Sequence, residues 1–158
     1  MSLDTLPDFI AAIDRIGELV RIDRPVRTHL EIAEIADRVM KSPGGGPALL
    51  FTRPIRDDGS ESPIPVAINL FGSRRRMELA LGVARLDEIG DRIAEMVEMK
   101  VPTGLMGKLS MLPRLAEMAK FPPRSRSGRA ACQEIILRGD EIDLDRIPML
   151  QTWPGDGG

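Results

Sequence analysis

Residues 28–52 place the first firm constraint on the fold. Thr28 and Glu31 stand three apart as a T-x-x-E capping box. Ile32, Ile35, Ala36, Val39 and Met40 then recur at helical spacing on one face, with Ile35 in mid-stripe and expected in the core. Gly44, Gly45 and Gly46 end that helix, and Pro47 to Thr52 follows as a buried strand around Leu49, Leu50 and Phe51. Upstream, Glu18 to Ile22 is a short strand candidate that Pro25 ends. Strand, helix and strand with short connections predict a right-handed parallel crossover. Ile64 to Leu70 is a third strand, reached over the polar, turn-rich stretch Arg56 to Pro63, and such a loop permits an antiparallel neighbour. Residues 18–22, 47–52 and 64–70 are therefore expected in one sheet, with helix 29–41 crossing between the first two.

The remaining elements follow from the same periodicities. Thr5 and Asp8 resemble a capping box ahead of the stripe Leu6, Phe9, Ile10 and Ile13, and Gly17 stops that helix. After Gly72, Ser73 can cap a helix over Arg74 to Leu81. Leu86, Ile89, Ile93, Met96 and Val97 mark another, and Leu105, Leu109 and Leu112 a third that Pro113 breaks or restarts. Lys120 to Arg129, rich in Pro, Ser and Arg, reads as a linker, and Gln133 to Leu137 as a strand. The expected fold class is α+β. A small mixed sheet with flanking helices (1–100) precedes a helical connection and linker (101–129) and a last segment (130–158). That segment ends on the turn chemistry of Trp153 to Gly158, which leads to the expectation of a truncated chain.

Composition narrows the function classes. Four Phe, one Trp and no Tyr leave an aliphatic core, with nine Met available to fill gaps. A formal net charge of -2 argues against a dedicated polyanion binder. No stretch approaches the roughly 20 apolar residues of a membrane helix. The N-terminus carries acids where a signal peptide needs basic residues, and the single Cys132 cannot form an internal disulfide, so a cytoplasmic protein is expected.

Several groups invite a chemical reading. His29 has no visible set of partner ligands and belongs to the start of the second helix. Cys132 lacks a neighbouring base, and its apolar flanks Ala130, Ala131 and Ile135 point to a buried structural thiol. Gly44 to Gly46 lies after a helix, the reverse of a phosphate loop, and Gly104 to Leu109 lacks the nucleotide-loop spacing. Arg74, Arg75 and Arg76 open a helix, where cations oppose the macrodipole, so carboxylates elsewhere or an anion must offset them. A solvated face or internal ion pair is the expected role. Lys120, Arg124, Arg126 and Arg129 form a basic run with one aromatic, Phe121, which is poor support for nucleic-acid binding. Met96, Met99, Met106, Met111 and Met118 suit core or interdomain packing.

The runs GELVRIDRPV, HLEIAEIADRV and PVAINLFGSRRRMELALGV together resemble the N-terminal domain of the UbiD-like decarboxylases. The later FPPRSRSGRAACQEIILRGDEIDLDRIPMLQTWPGDGG resembles the lead into that family's central domain. The resemblance implies reversible decarboxylation of aromatic and α,β-unsaturated acids, a polyprenyl-4-hydroxybenzoate of ubiquinone synthesis among them. It implies prenylated flavin mononucleotide, a divalent metal, typically manganese, and a monovalent cation. It also implies a central split β-barrel, of which Gln133 to Leu137 would be the first strand, and a homo-oligomer when complete. The family's flavin- and metal-binding Asn, His and Glu and its catalytic Arg and Glu follow the WPGDGG run. No residue of this chain is therefore assigned a catalytic, cofactor or metal role, and no cofactor is expected to bind it alone. Its partners would be the remainder of its own chain and, in the complete enzyme, a small aromatic or unsaturated acid. Nucleic acid and an integral membrane segment are not expected. The rival reading is a stand-alone binding or interaction module that reuses the small α/β domain.

Overall fold

The computed structural model describes residues 3–98, 116 and 127–156. The chain forms two compact units, Met1–Ile89 together with Asp143–Gly158, and Gly90–Ile142. The first unit holds the sheets. Helix α1 (Leu6–Arg15) starts at Thr5, whose side chain accepts the Asp8 N–H while the Asp8 carboxylate accepts the Thr5 N–H, the reciprocal box expected from the sequence. Gly17, at φ 75°, turns the chain out of the helix, and the Glu18 N–H closes the turn onto the Ile13 carbonyl.

Strands β1 (Leu19–Ile22), β3 (Ala48–Phe51) and β5 (Val66–Ile68) form one sheet in the order β1-β3-β5. β1 and β3 are parallel, with Leu19 opposite Ala48, and β3 and β5 antiparallel, with Leu49 opposite Ile68. The three expected strands thus share a sheet. Every residue of the central strand is buried, as a continuous apolar run requires of a strand covered on both faces. Alternation divides its side chains. Leu49 and Phe51 join Ile32 and Ala36 of α2 (Glu31–Met40), Val26 and Val66 in one core cluster, while Ala48 joins Phe9 and Ile13 of α1 in another. One helix therefore packs on each face.

A second sheet was not expected. β2 (Val26–Arg27) and β4 (Pro54–Ile55) pair in parallel, two residues each. Their brevity, and a proline inside one of them, hide them from any periodicity. The start of α2 also departs from expectation. Leu30, not Thr28, is the N-cap, and it makes no side-chain cap bond. Thr28 is buried, and its backbone is held in bridges to Ile55 and Gln151, so the box with Glu31 cannot close. The Glu31 carboxylate accepts the Arg27 N–H at 2.9 Å instead.

The fully buried positions of α2 are Ile32 and Ala36, both in the expected stripe. Ile32 is fully buried, whereas Ile35 is half-buried and packs against the cluster. Ile32→Ala should destabilise by about 2–5 kcal/mol and Ile35→Ala by less, read from urea midpoints by circular dichroism. Equal losses would show that the face centre is misplaced.

Helix α3 (Arg74–Leu81) is capped by Ser73, whose hydroxyl accepts the Arg76 N–H, and it ends at Gly82 in the left-handed conformation. Helix α4 spans Asp87–Val97. Ile93, Met96 and Val97 on it are exposed. In the second unit Ala131–Gln133 is a 3-10 helix, and no strand forms over 133–137. Ile135, Ile136 and Leu137 are exposed, so among the described residues these apolar groups have no sheet to join. The helix expected around Leu105 to Leu112 and the linker up to Arg126 lie outside the described residues.

Candidate functional site

Register brings three loops to one end of the sheet. β1 and β3 are parallel, so Glu18 and Pro47 precede them at the same end. β5 is antiparallel to β3, so Asn69, just past its last residue, reaches that end too. Arg76, in the first turn of α3, fills the junction and is fully buried. Its Nε donates to the Leu70 carbonyl at 3.2 Å, and one terminal nitrogen to the Gly46 and Asn69 carbonyls at 2.8 and 3.2 Å. The other donates to the Glu18 carboxylate at 2.5 Å. The Ser73 hydroxyl donates to the same carboxylate oxygen at 2.9 Å and accepts the Arg76 N–H.

Asn69 completes the junction. It sits at φ 58°, a left-handed conformation that Asn tolerates better than most residues. Its amide nitrogen donates to the Gly45 and Pro47 carbonyls at 2.8 and 2.9 Å. Gly45, at φ 83°, leaves no room for a side chain, since a Cβ there would lie 1.8 Å from the Gly72 carbonyl oxygen. Four of the five guanidinium N–H directions are committed to the protein itself. The arrangement binds three loops and a helix start together, and it leaves the guanidinium no free fork for a substrate anion.

A second polar network flanks β4 on both sides. Arg53 holds Glu61 with two nitrogens, and Arg56 donates to the Ser60 hydroxyl and to the Asp145 carbonyl at 2.7 Å. Hydrogen bonds from Ser60 hold the Asp58 carboxyl below its ordinary range. The hydrogen bond to Arg53 does the same for Glu61 and raises the Arg53 guanidinium in return. Lowered carboxyl values favour the fold above the unfolded-state pKa, and that contribution fades as pH falls through the folded values. All three groups face water, so the network contributes little to stability.

The other candidates are scattered. Arg74 pairs with Glu78 and Asp87, the internal ion pairing expected of the arginine run, and Arg75 reaches the Ile16 carbonyl. Arg76 is the exception to a solvated face, since Glu18 draws it inside. His29 is exposed and stands at the start of α2, as expected. Among the described residues no group of three or more His, Cys, Asp or Glu comes together to hold a metal. Cys132 is exposed, which corrects the expectation of burial: Ala130 and Ile135 are exposed as well, and nothing there encloses the thiol. Gly44 to Gly46 forms a turn after α2. Arg129 donates to the Gln133 carbonyl, whereas Lys120, Arg124 and Arg126 lie outside the described residues, as do Met99, Met106, Met111, Met118 and the stretch Gly104 to Leu109. No helix among the described residues is long and apolar enough to cross a membrane.

Sequence reasoning missed two features. Glu18 is far in sequence from Asn69 and Arg76, and the sheet register brings it to them. The other is the strap Asp143–Asp156. Leu150 packs on the α2 core cluster, and Gln151 bridges to His29 in parallel, with its N–H to the Thr28 carbonyl and its carbonyl accepting the Leu30 N–H.

Two family models match the chain, and their ranges take in both features. A model described as the 3-octaprenyl-4-hydroxybenzoate carboxy-lyase N-terminal domain matches residues 10–93, more than half of the chain. It contains the whole arginine junction. A second, the Rift-related domain of the same carboxy-lyase, matches residues 124–158 and contains the strap. These matches define the class as carboxy-lyases, that is, decarboxylases. The chain belongs to the UbiD family.

Proposed function

We propose that the chain is the N-terminal part of an enzyme that reversibly decarboxylates aromatic or α,β-unsaturated acids, a polyprenyl-4-hydroxybenzoate being one example. In this reading the segment is a non-catalytic scaffold, inactive alone. The observation that carries it is the pair of family matches, N-terminal domain first and Rift-related domain second, on one chain. The cofactors would be prenylated flavin mononucleotide, manganese and a monovalent cation, and the working form a cytoplasmic homo-oligomer. Residues 1–100 would be the scaffold domain, 101–129 the connection, and 130–158 the lead into a split β-barrel.

The described residues do not fit a cofactor site. Their carboxylates and His29 form no convergent donor set, and the one buried guanidinium is engaged by Glu18 and three carbonyls. No chemical step is therefore assigned to them. What supports the scaffold role is that the buried guanidinium joins loop carbonyls of the first unit. A chimera tests the reading. Residues 1–158 should replace the matching segment of a UbiD-family decarboxylase with carbon dioxide exchange into its acid retained. The isolated chain should bind neither prenylated flavin mononucleotide nor manganese stoichiometrically at micromolar concentration. A folded, flavin-loaded chimera without exchange would defeat the family role, and tight binding by the isolated chain would defeat the scaffold role.

A further inference from the structure

The start of α2 is held in a conformation that its own sequence does not favour. Leu30 adopts φ 60° and ψ -30°, and the Glu31 N–H donates across it to the His29 carbonyl at 2.7 Å. That is a three-residue turn of the strained, positive-φ kind, with a branched side chain at its centre. Such strain persists only where neighbouring contacts over-determine it, and it gathers at switching elements. Here the neighbouring contacts come from the strap. The Gln151 carbonyl accepts the Leu30 N–H at 3.1 Å, and the Gln151 N–H donates to the Thr28 carbonyl at 3.3 Å. Leu150 is its one anchor in the core cluster, while Met149 and Trp153 beside it are each 71% exposed.

The same residues hold an unused alternative. Thr28 and Glu31 have the spacing of a capping box, which would begin the helix at His29. In that arrangement the Thr28 hydroxyl takes the Glu31 N–H, which now serves the strained turn. We infer that Pro148–Gln151 is a releasable latch. Docked, it holds Leu30 in the strained turn and starts α2 at Glu31. Released, it lets α2 start earlier, with the Thr28 hydroxyl as the cap while the Thr28 N–H stays on the Ile55 carbonyl. The two arrangements exclude each other, because the Glu31 N–H serves only one of them. The latch links a segment inside the second family match to a helix inside the first, and it does not depend on the proposed activity.

Nuclear magnetic resonance of the full chain tests this through amide exchange and Cα shifts. Leu150→Asp removes the anchor. The Leu30 amide should then exchange up to about tenfold faster, as expected for loss of one net hydrogen bond. The Cα shifts of His29 and Leu30 should move toward helical values, and adding Thr28→Val should abolish that move. Gln151→Pro, which deletes the N–H donated to Thr28 together with the side-chain bond to the Trp153 carbonyl, should act in the same direction with Leu150 still in place. Unchanged exchange at Leu30 in both variants would overturn the latch. So would faster exchange without the helical shift, or an equal loss of protection at Leu49 and Leu50 in both, which would make the strap part of the core.

Discussion

Arg76→Leu should lower the free energy of unfolding by about 3–5 kcal/mol, the usual loss when one partner of a buried ion pair is removed. The substitution leaves the Gly46, Asn69 and Leu70 carbonyls without their donor and the Glu18 carboxylate without its cation. Arg76→Lys should recover little of this, because an ammonium cannot spread its donors in the plane of a guanidinium. The neighbouring Arg75 is exposed, so Arg75→Leu should fall within about 0.5 kcal/mol of the parent chain. Urea titration followed by circular dichroism measures all three. Parity between Arg76→Leu and Arg75→Leu would mean that water reaches the junction and replaces the arginine.

Gly45→Ala should cost about 2–5 kcal/mol, from a positive-φ penalty added to an overpacking cost. The two contributions can be separated. Gly59 has nearly the same φ, 82° against 83°, but open space where its side chain would stand. Gly59→Ala should therefore show the backbone penalty alone, roughly 1 kcal/mol. The difference between the two variants measures the close approach of Gly72. A pair of equal losses would mean that the loops can separate at no cost.

What the sequence made legible is what periodicity and capping encode. The Thr5 box, the Ser73 cap and the run Leu49 to Phe51 rest on neighbours within a few residues, and the three-stranded sheet followed from the short connections between its strands. β2 and β4 did not show, because two residues carry no period. Cys132 was misread because apolar flanks imply burial only when an element forms to enclose them. The arginine run was legible only as a conflict with the helix dipole. Its resolution through Glu18 and Asn69 depends on register, which a single sequence does not display. The Thr28 and Glu31 box expected from the spacing does not form, since the strap and β4 hold the backbone of Thr28 and Leu30 stands at the N-cap of α2 instead.

Trp153 lies two residues beyond Gln151 and is the only tryptophan in a chain without tyrosine. Excitation near the red edge of protein absorption therefore illuminates the strap and nothing else. The core is dark: its aromatic members, Phe9 and Phe51, do not absorb there. Emission and its quenching by acrylamide report on a single exposed indole, so this chain carries a built-in optical label at the one place where a local opening has been inferred. A melting curve recorded by fluorescence and one recorded by circular dichroism describe different parts of the molecule, and a gap between them measures the strap's independence from the sheet.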